Sequence, residues 1–249
     1  MISVTILTKN SEKYLREVLH STLSFSEVIV YDTGSIDNTI QIAKEFSNVK
    51  VFQGPFEGFG LTHNKASSLT TYEWVLSLDS DEIITAELLE EISNLKLDPD
   101  CVYSVPRNNY FNKKWIRWCG WYPDRQLRLY NKKNTSFDDA LVHEAIRTQG
   151  MKTIPLHSAL NHYPYESTSD FLSKMQNYSH LFADQNCGKK SSSLRKAIFH
   201  GFYSFFKSYF LKRGFLGGRE GFIISIYNGN TAFYKYLKLK EYNQRLKQP

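Results

Sequence analysis

Residues 76–84 read LSLDSDEII: an apolar run that opens at Trp74 and stops at the acidic group Asp79-Ser80-Asp81-Glu82. The run predicts a buried strand. Strict alternation would turn Asp79 and Asp81 to the same side just beyond its end. Two carboxylates held that close repel and need a compensating cation. A hard divalent ion held by one or two carboxylates and by substrate phosphates meets that need. Taken alone, the same residues also read as an acidic turn capping a helix that starts near Thr85.

The pattern continues upstream. Ile2–Leu7 and Val49–Phe52 predict strands, and EVIVY at 27–31 is continuous enough for a strand buried on both faces. Between them lie helical spacings. Tyr14, Leu15, Val18 and Leu19 share a face of Ser11–Ser21, and Ile40, Ala43 and Phe46 share one of Asp37–Phe46. A further helix opens around His63–Ser68, and Ala86–Leu95 turns Leu88, Leu89, Ile92 and Leu95 inward. This strand–helix alternation predicts an α/β fold, a mostly parallel Rossmann-like sheet with flanking helices. Such sheets bind ligands at the carboxyl ends of their strands.

Three of those ends are polar. The first strand ends in Thr8-Lys9-Asn10. The second ends in Asp32-Thr33-Gly34-Ser35, where Gly34 permits a tight turn and Asp32 sits where a base or ribose would hydrogen-bond. The third is the acidic group. Together they read as a nucleotide crevice with a metal at its mouth. Neither a GxxxxGK[ST] loop nor a GxGxxG fingerprint occurs.

After Pro99 the texture changes. Cys101–Pro106, Arg125–Asn131 and Lys152–Leu156 predict strands without regular helices between them, and Ser167–Cys187 returns to helix with a start at Ser169–Asp170. KKSSS at 189–193 is a polar break. Leu194–Leu211 then predicts a helix with two aromatic stripes, Ile198, Phe202, Phe205 and Tyr209 beside Phe199, Tyr203, Phe206 and Phe210. GFLGG interrupts at 214–218, and a last helix is expected from about Phe222 to Leu239. The expected division is therefore a main domain, 1–188, and a helical extension, 189–249.

The charge is divided in the same way. The net charge is +6, yet residues 189–249 hold 13 Lys/Arg against only Glu220 and Glu241. The aromatic content of 15% with 22% charged residues excludes a disordered chain. Cys101, Cys119 and Cys187 are scattered without a CxxC pair, so neither a disulfide scaffold nor a zinc site is expected, and they read as free thiols in a reducing compartment. The start, MISVTILTKN, reads as a strand rather than a targeting signal. Aromatic helices carrying Arg195, Lys196, Lys207, Lys212, Arg213 and Arg219 suit an anionic membrane surface, one stripe packing and the other meeting lipid. They also suit a helical cap with solvated lysines. No nucleic-acid motif is present, and no nucleic-acid partner is expected.

ISVTILTKN, VIVYDTGSIDNT and LSLDSDE resemble the signature segments of inverting family-two glycosyltransferases with the GT-A fold. GWYPDRQLRLYN (120–131), VHEAI (142–146), NHYPYES (161–167) and RGFLGGREGF (213–222) resemble a branch that includes bacterial lipopolysaccharide inner-core glucosyltransferases. The resemblance departs at Thr33, where many members carry a second acid. It implies transfer of a hexose from a nucleotide-diphosphate sugar, such as UDP-glucose, to a lipid-linked saccharide, with Mn²⁺ or Mg²⁺ as cofactor, at the cytoplasmic face of the cell membrane. Asp79, Asp81 and His162 are the implied metal ligands. Glu144 occupies the place of the base that takes the acceptor proton, with Asp124 as its rival. Thr8, Asn10, Asp32, Gly34, Ser35 and Asp79 are expected around the donor, with Gly120 and Trp121 beneath its sugar. Arg125 and Arg128 either grip the diphosphate or form structural salt bridges. Two other readings are a capsular or protein acceptor, and a sugar-nucleotide-binding protein without catalysis.

Overall fold

A computed structural model describes residues 1–139, 145–165 and 167–246. The chain forms two compact units. The first comprises residues 1–107 and 124–162; the second comprises 108–123 and 163–249. Residues 163–188 thus group with the helical extension, a different division from that at 188/189.

The first unit alternates as the apolar runs dictate. Strands β1 (Ile2–Thr8), β2 (Val28–Asp32), β3 (Val49–Gln53) and β4 (Trp74–Asp79) are joined through helices α1 (Glu12–Ser21), α2 (Thr39–Lys44) and α3 (Phe59–Ser68). The order β3-β2-β1-β4 is parallel throughout. β2 is buried along its whole length, which is why its sequence does not alternate. Helix α2 is shorter than the periodicity of 37–46 predicts, because the Asp37 carboxylate turns forward to accept from the Thr39 N–H at 3.0 Å and ends the loop there.

The sheet then becomes mixed. β5 (Glu82–Ile84) follows β4 after a two-residue turn and leads into α4 (Ala86–Ser93), capped by the Thr85 hydroxyl. β6 (Cys101–Phe111) runs well past Pro106. β7 (Lys114–Trp115) pairs with its far end inside the second unit. β8 (Arg125–Asn131) inserts antiparallel between β4 and β6, β9 (Lys152–Pro155) adds parallel to β6, and β10 (Leu160–His162) pairs antiparallel with β5. The core lies between sheet and helices, built on Val4, Ile6, Leu15, Leu76, Leu78 and Leu129.

The second unit holds α5 (Thr168–Asn186), α6 (Leu194–Phe206), a π turn at Lys207–Leu211, a 3-10 turn at Gly214–Gly217, and α7 (Gly218–Arg245). A capping box starts α5: Ser167 accepts from the Asp170 N–H, and Asp170 accepts from the Ser167 N–H. Phe111, Ile116, Phe171 and Ile224 form this unit's apolar cluster. The tail stripes are not arranged as expected. The buried positions of α6 and its π turn are Ala197, Gly201 and Ser208, and residues of both aromatic stripes lie outside.

Candidate active site

Parallel register brings three polar strand ends to one edge of the sheet. Thr8 pairs with Asp32 across β1–β2, and Leu7 with Asp79 across β1–β4. Asp32 is fully buried and surrounded by donors. Its Oδ1 accepts from Thr8 Oγ1 at 3.0 Å and from the Ser35 hydroxyl. Its Oδ2 accepts from the N–H groups of Gly34 at 3.1 Å and Ser35 at 2.9 Å. Burial opposes the charge of Asp32, but these bonds outweigh it and hold the carboxyl below the ordinary range. Gly34 has φ 102°, a conformation that favours glycine, and that places its N–H over the carboxylate. Asn10 ties the same loop down: its N–H donates to Ser35 Oγ at 2.8 Å and its Oδ1 accepts from the Ile36 N–H at 2.9 Å.

The acidic end of β4 is built around arginines. Arg128 on β8, 5% exposed, donates to both Asp79 and Glu82. Arg107 on β6 reaches Glu82 at 3.1 Å and chelates Asp124 Oδ2 through Nε at 2.9 Å and Nη2 at 2.8 Å. Gln126 donates to the other Asp124 oxygen at 3.0 Å. Burial opposes the charge of Asp79, yet Arg128 foremost, with Arg107 further off, holds its carboxyl well below the usual range. Glu82 has no exposed surface and also accepts from the Asp79 N–H at 3.1 Å. Burial, reinforced by Asp79, pushes its carboxyl up against the pull of the arginines.

Asp79, Glu82 and His162 each offer a ligand atom, and these atoms lie within 4.8 Å of one another. His162 stands opposite Glu82 in the β5–β10 pairing, and its Nε2 lies 3.5 Å from Asp81 Oδ1. Carboxylate oxygens with one imidazole fit Mn²⁺ and, less well, Mg²⁺. Arg128 bridges the inner pair Asp79 and Glu82, while Asp81 faces His162 beside them.

A glycosyl transferase family 2 model matches residues 3–152, more than half of the chain. The chain belongs to glycosyl transferase family 2. An uncharacterized glycosyltransferase of Rickettsia conorii is 30% identical to it, covering 96% of this chain and 90% of that protein. A lipopolysaccharide core biosynthesis glycosyltransferase of Rhizobium meliloti is 25% identical, covering 96% of this chain and 91% of its own. The mannosyltransferase PcManGT of Pyrobaculum calidifontis shares the fold, with a TM-score of 0.54 at 12% identity, covering 99% of this chain and 88% of that one. The fold is thus of the GT-A type, as expected.

Glu144, with His143, falls outside the described residues. Gly120 and Trp121 belong to the second unit, where Trp121 stacks on Tyr165 with ring centres 5.4 Å apart. Arg125 is exposed and donates to the Leu156 carbonyl at 2.8 Å. Of the two readings of Arg128, the structure displays the salt bridge. The sequence reading missed Glu82 as a partner, although it stands inside the acidic motif, and it missed Arg107. It also missed His63, buried on α3, stacked on Phe137 and 3.1 Å from Ser77 Oγ. Burial drives His63 down to about 4, with Asp79 opposing and Arg128 assisting, so it is neutral at pH 7.

Proposed function

We propose that this glycosyltransferase moves a hexose, with inversion, from a nucleotide-diphosphate sugar to a lipid-linked saccharide of the lipopolysaccharide core type, at the cytoplasmic face of an anionic membrane. The observation that carries the reading is the meeting of Asp79, Asp81, Glu82 and His162 at the strand edge that also bears the Asp32–Gly34 turn. The 25% identity to the Rhizobium core enzyme supports the acceptor class, and the Pyrobaculum structure contains GDP-mannose and Mn²⁺.

In this reading the Asp32 turn and Asn10 shape the nucleoside side of the crevice. Asp81 and His162, next to Asp79, hold Mn²⁺ or Mg²⁺, which when bound supplies countercharge to the leaving diphosphate. Arg128 and Glu82 position Asp79. Glu144 takes the proton of the acceptor hydroxyl as its oxygen bonds to the anomeric carbon. The bond from that carbon to the diphosphate breaks, and its electron pair leaves with the diphosphate. Asp124 is the weaker candidate for the base, because Arg107 and Gln126 engage both of its oxygens.

The test is a transfer assay with Mn²⁺, a panel of nucleotide sugars and truncated lipopolysaccharide as acceptor, reading product and anomeric configuration. Glu144→Gln is expected to lower transfer roughly 10²–10⁴-fold with donor affinity retained. An active Glu144→Gln beside a dead Asp124→Asn would reverse the assignment, and donor binding without turnover would make the protein a binder.

A further inference from the structure

Small residues bring the backbones of α6 and α7 together, with aromatic pairs such as Phe205–Phe222 beside them. Ala197, Gly201 and Ser208 are buried on α6 and its π turn, and Ser225 and Gly229 are buried on α7, with Gly201 facing Gly229 and Ser208 facing Ser225. The backbones come so close that a Cβ on Gly201 would stand 3.3 Å from the Gly229 carbonyl oxygen, and one on Gly229 would stand 3.1 Å from that of Gly201. Hydrogen bonds cross the same seam. Ser204 Oγ donates to the Asn228 carbonyl at 3.0 Å, Asn228 Nδ2 donates to Ser208 Oγ at 3.0 Å, and the hydroxyls of Ser208 and Ser225 meet at 3.0 Å. In water, helices associate by burying large apolar side chains. In lipid that drive is absent, and helices pair through small residues and interhelical hydrogen bonds.

Phe205 and Phe233 stand at the seam and His200 stacks on Tyr236 across it, with ring centres 3.9 Å apart, but many of the other large side chains face outward. Phe199 is 65% exposed, Phe202 69%, Phe206 40%, Phe210 49%, Phe215 49% and Phe222 48%. A monomer in water rarely leaves so many neighbouring aromatics uncovered. The surrounding charge names the occupant. Residues 189–219 contain eight Lys/Arg and no acid, and Glu220 is paired with Lys114 at 3.3 Å. A second copy placed on this face by two-fold symmetry would bring like charges together, whereas an anionic leaflet complements them. Among the described residues, no helix is long and apolar enough to cross a membrane.

We propose that α6, its π turn and the start of α7 form a wedge lying in the plane of an anionic bilayer, with the phenylalanine face inserted to the acyl-chain boundary. This rests on the membrane partner of the proposed function and goes beyond it: attachment is by insertion, with charge selecting the leaflet. The basic side chains then lie level with the phosphates, flanking the inserted rings.

The test is sedimentation of the full chain with vesicles of phosphatidylcholine alone or mixed with phosphatidylglycerol, at low and at about 1 M salt, where the Debye length falls to about 3 Å. The wild type is expected to bind the anionic vesicles and stay bound in high salt. Phe202→Ser with Phe206→Ser and Phe210→Ser should bind only at low salt, at least about tenfold more weakly, since insertion scales with buried apolar area. Lys207→Ser with Lys212→Ser and Arg213→Ser should lose the preference for anionic lipid and keep the salt-resistant part. Phe202→Trp adds emission that acyl-brominated lipid should quench. Complete release of the wild type by salt, unchanged binding of the phenylalanine variant, or a wild-type dimer that this variant dissolves would each overturn insertion. Transfer to a short soluble acceptor is measured beside each variant. Wild-type turnover there without insertion leaves the catalytic reading standing, and insertion without turnover removes only that reading.

Discussion

In the sheet unit, Val28, Val30, Leu76 and Leu78 are fully buried, and the charged groups that join them inside are held by partners. In the α6–α7 hairpin small residues join the buried set: Gly201, Ser208, Ser225 and Gly229 lie within beside Ile224 and Leu239, while Phe199, Phe202 and Phe210 lie outside. The contrast teaches that one chain can bury its elements in two ways. The sheet unit is stabilised by apolar area withdrawn from water. The hairpin adds close backbone approach at Gly201 and Gly229 and side-chain hydrogen bonds to its aromatic contacts.

The largest expected effect falls on the charged group inside the sheet unit. Arg128→Ala leaves Glu82 buried with one cation fewer, and urea denaturation should show a loss of about 3–5 kcal/mol. A loss under about 1 kcal/mol would mean that the network is peripheral to stability.

Next comes Glu27, buried at the opposite end of β2, where Ser3, Thr71 and Lys50 contact its carboxylate. Burial opposes its charge, but these bonds hold the carboxyl down at about 2, well below the ordinary glutamate range. The unfolded chain therefore takes up the proton first as pH falls. The stabilisation is complete above about pH 5 and disappears as pH drops towards 2, with a size on the order of 2–3 kcal/mol. Thermal melts from pH 6 to pH 2 should show a smaller acid-induced fall in Glu27→Gln than in the parent. Equal falls would show that Glu27 has no role in acid stability.

The smallest pair sets the hairpin's two faces against each other. Gly201→Leu overfills the seam and should cost about 1–3 kcal/mol. Phe202→Ala, at an exposed ring, should change stability in water by less than about 0.5 kcal/mol. If Phe202→Ala were the costlier change, the hairpin would pack like the sheet unit and the contrast would fail.

Much of the fold is legible in the sequence because its signals are local. The unbroken EVIVY run marks β2, and polar groups at Thr8, Asp32 and Asp79 mark the binding edge. Non-local pairing is not legible in this way. Glu82 meets His162 only through the β5–β10 register, and Arg107 and Arg128 meet the acids only through β6 and β8. The tail misleads for another reason: helical periodicity identifies a face by its large apolar residues, and here the buried face is marked by glycine and serine. The last helix likewise extends over Gly218–Arg245 rather than 222–239, since packing against α5 and α6 overrides the weak propensity of its glycines.

The central claim is that the acidic end of β4 binds a metal-dependent nucleotide. Calorimetric titration of UDP and GDP into the protein, with and without Mn²⁺, tests it most directly. The account predicts that Mn²⁺ tightens nucleotide binding about tenfold or more, and that Asp81→Ala, at a turn outside the core, abolishes this tightening while leaving Tm unchanged. Nucleotide affinity indifferent to Mn²⁺ in the wild type, or an Asp81→Ala variant that keeps the full metal-dependent affinity, would contradict it.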